Sequence, residues 1–360
     1  MIKKINKICL ILGTRPEIIK LSPIIRELQR KKHGYFIIHT NQHYSSNMDE
    51  IFFKELNLPQ PKHNLNIGSG THGDTTGRML QSIESVLLKE NPTWVIVQGD
   101  TNTVLAGALA ASKLQIKIGH VEAGLRSYDR TMPEEINRIL TDHMSDLLFC
   151  PTQKQANILL KEGIDKNKIK VTGNTIVDAV YQNINLIKNH FKFNHYQKEN
   201  YFLLTTHRPS NVDNKKNLQS IIEAINQISQ KYKVKTYFPV HPRTKKQLEL
   251  FKIKLDPKFF NILEPVGYLE MLALQKNAKL IFTDSGGIQE EACILQVPSI
   301  TLRENTERPE TIEVGASILT GPNKQKIISA TAKQLKCKRN WPNPFGTKDS
   351  SLRIMNLINK

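Results

Sequence analysis

A chain of 360 residues is longer than one ordinary hydrophobic core serves and suits two domains, each burying its own sheet. With 39% hydrophobic and 23% charged residues, the composition excludes a fibrous or largely disordered protein. The net charge of +18 is spread over scattered residues such as Lys3, Lys4, Arg30, Lys31, Lys32, Lys245, Lys246, Lys252 and Lys338, without interleaved stacking aromatics. That pattern reads as a solvated basic exterior instead of a nucleic-acid platform, and a positive field also steers a diphosphate-bearing substrate.

Apolar runs rich in β-branched residues alternate with amphipathic stretches of helical length, the βαβ signature of a parallel sheet. In chain order, strands are expected at 7–12, 35–40, 94–98, 116–121, 147–150 and 169–172, then at 201–206, 235–240, 261–264, 279–283 and 298–302. The first follows Lys3 and Lys4 as the core of a secretory signal would, but it is short and ends at Gly13 and Arg15, so it reads as a buried strand. No apolar run approaches the roughly 18 residues of a membrane-spanning helix. The polar segment 183–200 reads as a helix end and linker, giving domains over 1–172 and 173–348. Cys9, Cys150, Cys293 and Cys337 are far apart and form no C-x-x-C pair. They read as reduced packing residues of a cytoplasmic protein with neither membrane nor nucleic acid as a partner.

The strands run into Gly13-Thr14-Arg15, Gln42-His43, Gly99-Asp100, Glu122-Ala123-Gly124, His207-Arg208, His241-Pro242-Arg243 and Asp284-Ser285-Gly286-Gly287. Ligands of open parallel sheets bind beyond the carboxyl ends of the strands, where turns and helix N-termini converge. Polar and glycine residues at these edges in both halves predict an α/β fold of two doubly wound parallel sheets facing a central cleft.

In Gly13-Thr14-Arg15-Pro16-Glu17, Pro16 suits the first helical position and Glu17 closes a capping box on Thr14. That leaves Arg15 and Lys20, a guanidinium at a helix start and an ammonium about one turn inside it, as an anion clamp. Ser285-Gly286-Gly287 follows an apolar strand and opens a helix, so its N–H groups face whatever lies there and glycine lets a phosphate approach. Glu290 or Glu291 in that helix offers a carboxylate to ribose hydroxyls. The bland alternative is a glycine turn with acids offsetting the helix dipole. Gly68-Ser69-Gly70-Thr71-His72-Gly73 matches G-x-G-x-x-G, yet 62–67 is a poor strand and no acid ends a second strand about 20 residues on, so it is a decoy and a dehydrogenase loses its main support.

Three acids stand close behind sheet edges. Asp100 has a bland reading as N-cap of a helix 103–113, and Glu134 as partner of Thr131 in a capping box. Glu122 lies in a glycine-bounded connection where an acid needs a partner or a job. Carboxylates in one cleft push their pKa values apart and so provide both an acid and a base near neutral pH. His207 and His241 add imidazoles at two strand ends, although a lone histidine is more often a hydrogen-bonded structural residue. No spacing of His, Cys or acids matches a metal cage, so no metal ligand is expected.

Taken together, Leu12-Gly13-Thr14-Arg15-Pro16-Glu17, Gln98-Gly99-Asp100-Thr101, His120-Val121-Glu122-Ala123-Gly124-Leu125-Arg126, Pro133-Glu134-Glu135-Ile136-Asn137-Arg138, Asp284 to Glu291 and Thr306-Glu307-Arg308-Pro309-Glu310 resemble the non-hydrolysing UDP-N-acetylglucosamine 2-epimerases over nearly the whole chain. This resemblance implies a GT-B-like fold of two Rossmann-like domains, a homodimer, and a last helix at about 349–359 that crosses back to the first domain. It implies nucleotide-sugar contacts at Arg15, Lys20, Asp100, Glu122, His207, Ser285, Gly286, Gly287, Glu291 and Arg308, and a catalytic group of Asp100, Glu122, Glu134 and His207. His241 and Met271 join the candidate substrate contacts. The implied chemistry removes the C2 proton, expels UDP from C1 to leave a 2-acetamidoglucal, protonates the other face and re-adds UDP, with no cofactor, in the supply of surface polysaccharide precursors. Because that proton is weakly acidic, stabilisation of the leaving group carries much of the work.

Gly70-Thr71-His72-Gly73 and His241-Pro242-Arg243-Thr244 also resemble the branch acting on UDP-2,3-diacetamido-2,3-dideoxyglucuronic acid. A uronate would want an extra cation, and Arg308-Pro309-Glu310 keeps the simpler pattern. A GT-B glycosyltransferase is the rival of different reaction, recognised by consumption of an acceptor. Bacterial members read His-Arg-Arg-Glu-Asn where this chain has His207-Arg208-Pro209-Ser210-Asn211. There the second arginine, and a glutamine shortly after the Gln-His pair, help hold an activating second substrate molecule; Pro209 and Ser45 stand at those positions here.

Overall fold

The computed structural model describes residues 7–41, 52–188 and 191–359. Two units divide the chain, Met1–Tyr181 with Phe345–Lys360, and Gln182–Pro344. The first is built on β1 (Ile8–Leu12), β2 (Tyr35–His39), β3 (His63–Asn64), β4 (Trp94–Gln98), β5 (Lys117–Val121), β6 (Leu147–Cys150) and β7 (Ile169–Val171), in the order β3-β2-β1-β4-β5-β6-β7. The second carries β8 (Tyr201–Thr205), β9 (Lys235–Pro239), β10 (Phe260–Leu263), β11 (Leu280–Thr283), β12 (Ser299–Thr301) and β13 (Ser317–Leu319), in the order β10-β9-β8-β11-β12-β13. Every pairing is parallel. Strand order therefore reverses at β1/β4 in one sheet and at β8/β11 in the other, the points where an open α/β sheet leaves a crevice for ligand.

The central strands β1, β4 and β8 are buried along their whole length, which is why they read as apolar runs without alternation, broken only by the last residues Gln98 of β4 and Thr205 of β8. The helix Arg15–Arg30 buries Ile18, Leu21, Ile24, Ile25 and Leu28 on one face, the spacing of an amphipathic helix lying on a sheet. Over β1 and β4 lies the alanine-rich helix Asn102–Lys113; a Cβ at its Gly107 would come within 3.1 Å of Ile11 and 3.3 Å of Val97, so glycine sets how closely helix and sheet approach.

Every strand expected from the sequence is present within one residue of its expected ends, and β3 and β13 are additional. The expected linker is more ordered than its polarity implied. The helix Thr175–Lys188 enters it and a 3₁₀ helix, Phe191–Lys198, follows, with the Tyr196 hydroxyl donating to Glu270 at 2.8 Å. The division between units falls after Tyr181, not after residue 172. Its physical reason is Asp178, buried in the helix Thr175–Lys188, which accepts the Ser350 and Ser351 amides at 3.2 and 3.1 Å and the Ser351 hydroxyl at 2.6 Å. Those bonds fasten the start of the C-terminal helix Ser350–Ile358 to the first unit. Among the described residues, no helix is long and apolar enough to cross a membrane.

Candidate functional site

At the β1/β4 reversal, Gly13 is wedged against two threonines: a Cβ there would lie 2.1 Å from Thr40 Oγ1 and 2.4 Å from Thr103 Oγ1, so only glycine fits. The next residues open the helix Arg15–Arg30 with Thr14 as N-cap and Pro16 in the first turn. Glu17 closes the expected capping box, accepting the Thr14 amide at 2.9 Å, but it also accepts the Gly13 amide at 2.6 Å and the Thr101 hydroxyl at 2.5 Å. This fully enclosed carboxyl is pushed up from 4.5 to about 7 by burial, which outweighs the hydrogen bonds from Thr101, Gly13 and Thr14 that favour its charge. Arg15 is half-buried, its guanidinium 5.4 Å from the Phe52 ring centroid.

Lys20 is buried and points inward. Its Nζ donates to both carboxylate oxygens of Glu122 at 2.8 and 2.7 Å, and Gln98 Nε2 donates to the same carboxylate. Besides its expected place in an anion clamp, Lys20 thus has a partner within the protein and holds an acid. Glu122 itself sits at φ +71°, a left-handed conformation rare outside glycine and a mark of functional turns.

Asp100 does not cap a helix. The helix Asn102–Lys113 starts one residue earlier than expected and Thr101 is its N-cap, accepting the Val104 amide. The Asp100 carboxylate is instead paired with the Arg138 guanidinium, and its carbonyl accepts from Asn137 at 3.0 Å. Both partners come from the helix Pro133–Met144, whose own N-cap is Met132. Glu134 is then the second helical residue, one short of the position a capping box needs, and the Thr131 hydroxyl donates to Asp129 at 2.6 Å. The capping explanation of Glu134 fails on register, leaving it exposed in the first helical turn. Glu135 takes the inward place, accepting from Ser127, Tyr128 and Arg138.

In the second unit the β8/β11 reversal brings together His207 and the turn after β11. His207 is partly exposed; burial holds its imidazolium below the ordinary range, Asp284 opposes that and Arg208 adds to it. The His241 ring lies 5.5 Å away, and its Nδ1 caps the helix Pro242–Leu250 by accepting the Arg243 amide at 3.2 Å. Ser285 caps the helix Gly286–Ile294. A Cβ would lie 3.8 Å from Glu307 Oε2 at Gly286 and 3.9 Å from Ser285 Oγ at Gly287, ordinary contacts, so crowding by the protein itself does not require either glycine. Behind them Glu290 and Glu291 separate: Glu290 pairs with Arg308 at 2.6 Å, while Glu291 accepts from the fully buried Gln275 at 2.6 Å. Gln289 accepts the Thr306 hydroxyl at 2.8 Å and so docks the loop that carries Arg308. Met271 is half-buried on the helix Tyr268–Asn277.

Gln98, Thr101, Asn137, Arg138, Gln275 and Asp284 support these groups across long chain separations. Places within motifs signalled all of them except Gln275, which no motif marked. Gln42, His43 and Ser45 lie outside the described residues. Residues 68–73 do not build a dinucleotide turn: β3 before them has two residues, and Thr71 caps the helix His72–Glu90.

The family model of the UDP-N-acetylglucosamine 2-epimerases matches residues 26–359. The chain belongs to the UDP-N-acetylglucosamine 2-epimerase family. Within it, a protein of Methanocaldococcus jannaschii named UDP-N-acetylglucosamine 2-epimerase is 61% identical over 98% of each chain. A crystal structure of the M. jannaschii enzyme in complex with UDP-GlcNAc and UDP has a TM-score of 0.89 at 61% identity, covering 98% of this chain and 99% of that one. The Pseudomonas aeruginosa UDP-2,3-diacetamido-2,3-dideoxy-D-glucuronate 2-epimerase is 41% identical over 98% of this chain and 99% of its own. The family's GT-B-like architecture of two Rossmann-like domains is the one formed by the two parallel sheets.

Proposed function

We propose that this chain interconverts UDP-N-acetylglucosamine and UDP-N-acetylmannosamine by inverting C2, through loss of UDP and its re-addition to a 2-acetamidoglucal. The observation that carries this is the 61% identity, over nearly both whole chains, to a relative whose solved structure holds UDP-GlcNAc and UDP. The lower identity of the diacetamidoglucuronate enzyme weighs against a uronate substrate.

In this reading Asp100, Glu122, Glu134 and His207 exchange protons at the sugar. Lys20 holds the Glu122 carboxylate. Arg15, Arg308 and the amides of Ser285, Gly286 and Gly287 take the charge that develops on departing UDP, the stabilisation a poorly acidic C2–H requires. Glu291 accepts the ribose hydroxyls, with His241 and Met271 as further nucleotide contacts. No cofactor takes part. A homodimer belongs to the same reading and is checked by light scattering, and the free thiols of Cys9, Cys150, Cys293 and Cys337 fit a reducing, cytoplasmic compartment.

Proton NMR of the chain with UDP-N-acetylglucosamine in deuterated water tests the reaction. UDP-N-acetylmannosamine carrying deuterium at C2 is expected. Retention of the original hydrogen overturns the elimination route, and free UDP with N-acetylmannosamine as main product identifies a hydrolysing enzyme.

A further inference from the structure

Asp284 directly follows β11 and is fully buried. Its carboxylate accepts the Thr206 hydroxyl at 2.7 Å, the His207 amide at 3.1 Å, the Arg208 amide at 3.0 Å and the Asn211 side-chain amide at 3.1 Å. All these donors belong to the segment leaving β8. Holding β8 to β11 does not need them, because the strands share a parallel ladder and the Thr205 and Thr283 hydroxyls bond at 2.7 Å. What the carboxylate adds is a fixed backbone on either side of His207, with the imidazole Nδ1 3.4 Å from Oδ1.

We propose that Asp284 is a positioning residue for His207: it anchors the Thr206–Arg208 backbone and faces the imidazole Nδ1, so that the neutral ring carries its proton on Nδ1 and presents Nε2 to the sugar. This rests on the epimerase reading for the role of His207 and adds to it the tautomer in which His207 works. A neutral imidazole has one N–H, and a carboxylate beside one nitrogen draws the proton there. The other groups facing the ring are the Arg208 guanidinium, which disfavours the imidazolium, and the His241 ring at 5.5 Å. Among the described residues, Asp284 is therefore the neighbour whose charge favours protonation of His207.

Long-range proton–nitrogen NMR of the full chain without substrate reads which nitrogen holds the proton, with His207 assigned by the signals lost in His207→Gln. The wild type is expected to show Nδ1–H above its titration midpoint. Asp284→Asn is expected to lower the midpoint and admit the Nε2–H form, whereas Asn211→Leu, which removes one donor and keeps the charge, retains both midpoint and tautomer. The proposal is overturned if the wild type is mainly Nε2–H, if a folded Asp284→Asn titrates as the wild type does, or if Asn211→Leu reproduces the Asp284→Asn change. Should Asp284→Asn not fold, the wild-type tautomer decides alone. No turnover enters these spectra, so inactivity toward UDP-N-acetylglucosamine would remove the epimerase reading without touching this result.

Discussion

Lys20 Nζ stands 2.8 and 2.7 Å from the two oxygens of Glu122, in a pair whose side chains are 10% and 3% exposed. At that burial the desolvation of both charges is offset only while they stay together, and removing one partner of such a pair costs about 3–5 kcal/mol. Lys20→Met is expected to lower the melting temperature strongly and to abolish turnover. Glu122→Gln, Asp100→Asn and His207→Ala are each expected to lower turnover at least about a hundredfold, the lower range for acid–base groups. The double variant Lys20→Met/Glu122→Gln should be less destabilised than the sum of the single variants, because the second change removes the charge that the first orphans. Additive losses in thermal unfolding would show that the two do not act as a unit.

Glu17 gives the stability a pH dependence with a definite sign. Its folded-state value of about 7 lies above 4.5, so between those limits the folded chain binds the proton and the unfolded chain does not. The contribution is complete below pH 4.5 and is lost as pH rises through 7, with a slope of at most about 1.4 kcal/mol per pH unit. His39 works in the opposite direction, since burial lowers its imidazole from 6.5 to about 4 and its contribution grows with pH over that range. The informative quantity is therefore the difference between wild type and Glu17→Gln in chemical unfolding at pH 5 and pH 7.5. Glu17→Gln is expected to gain stability relative to wild type as pH rises; a constant difference would show that Glu17 does not titrate in this window.

How far the sequence could be read follows from what is local. The buried strands were legible because β1 is apolar throughout and β4 and β8 are apolar up to a single polar last residue, Gln98 and Thr205, whereas β3 has two polar residues and β13 only three residues after Gly315, too few for any period to register. The Thr14–Glu17 box was legible at a spacing of three. The same spacing misled at Thr131–Glu134, where Pro133 set the first helical position and moved the register by one. Pairings such as Lys20–Glu122, 102 residues apart, and Arg138–Asp100, 38 apart, leave no local trace. The residues were visible as candidates, but their partners were decided by sheet order.

Glu134 separates structure from catalysis cleanly. It is exposed, makes no capping box, and as an acid in the first helical turn contributes only the modest stabilisation that a carboxylate near a helix N-terminus provides, about 0.3–1 kcal/mol. Glu134→Gln is expected to change the melting temperature little and to lower turnover at least about a hundredfold. A variant that melts early but turns over normally would return Glu134 to a structural role.

Activation by the substrate is expected to be weak or absent. Pro209 opens a four-residue helix at the position where bacterial members carry an arginine, and it brings neither charge nor N–H donor. The neighbouring cation Arg243 is held by Asp213, through Nε at 2.9 Å and a second contact from its terminal nitrogen. A second diphosphate would lose charge-assisted hydrogen bonds of about 1.5–3 kcal/mol each, and 1.4 kcal/mol already corresponds to about a tenfold loss of affinity. Reverse epimerisation of UDP-N-acetylmannosamine should accordingly begin without delay when no UDP-N-acetylglucosamine is added, followed by NMR or a coupled assay. A pronounced lag that traces of UDP-N-acetylglucosamine abolish would overturn this, and would mean that Arg208 or an Arg243 released from Asp213 rebuilds the activator contact; Arg243→Gln would then restore the lag in the presence of those traces.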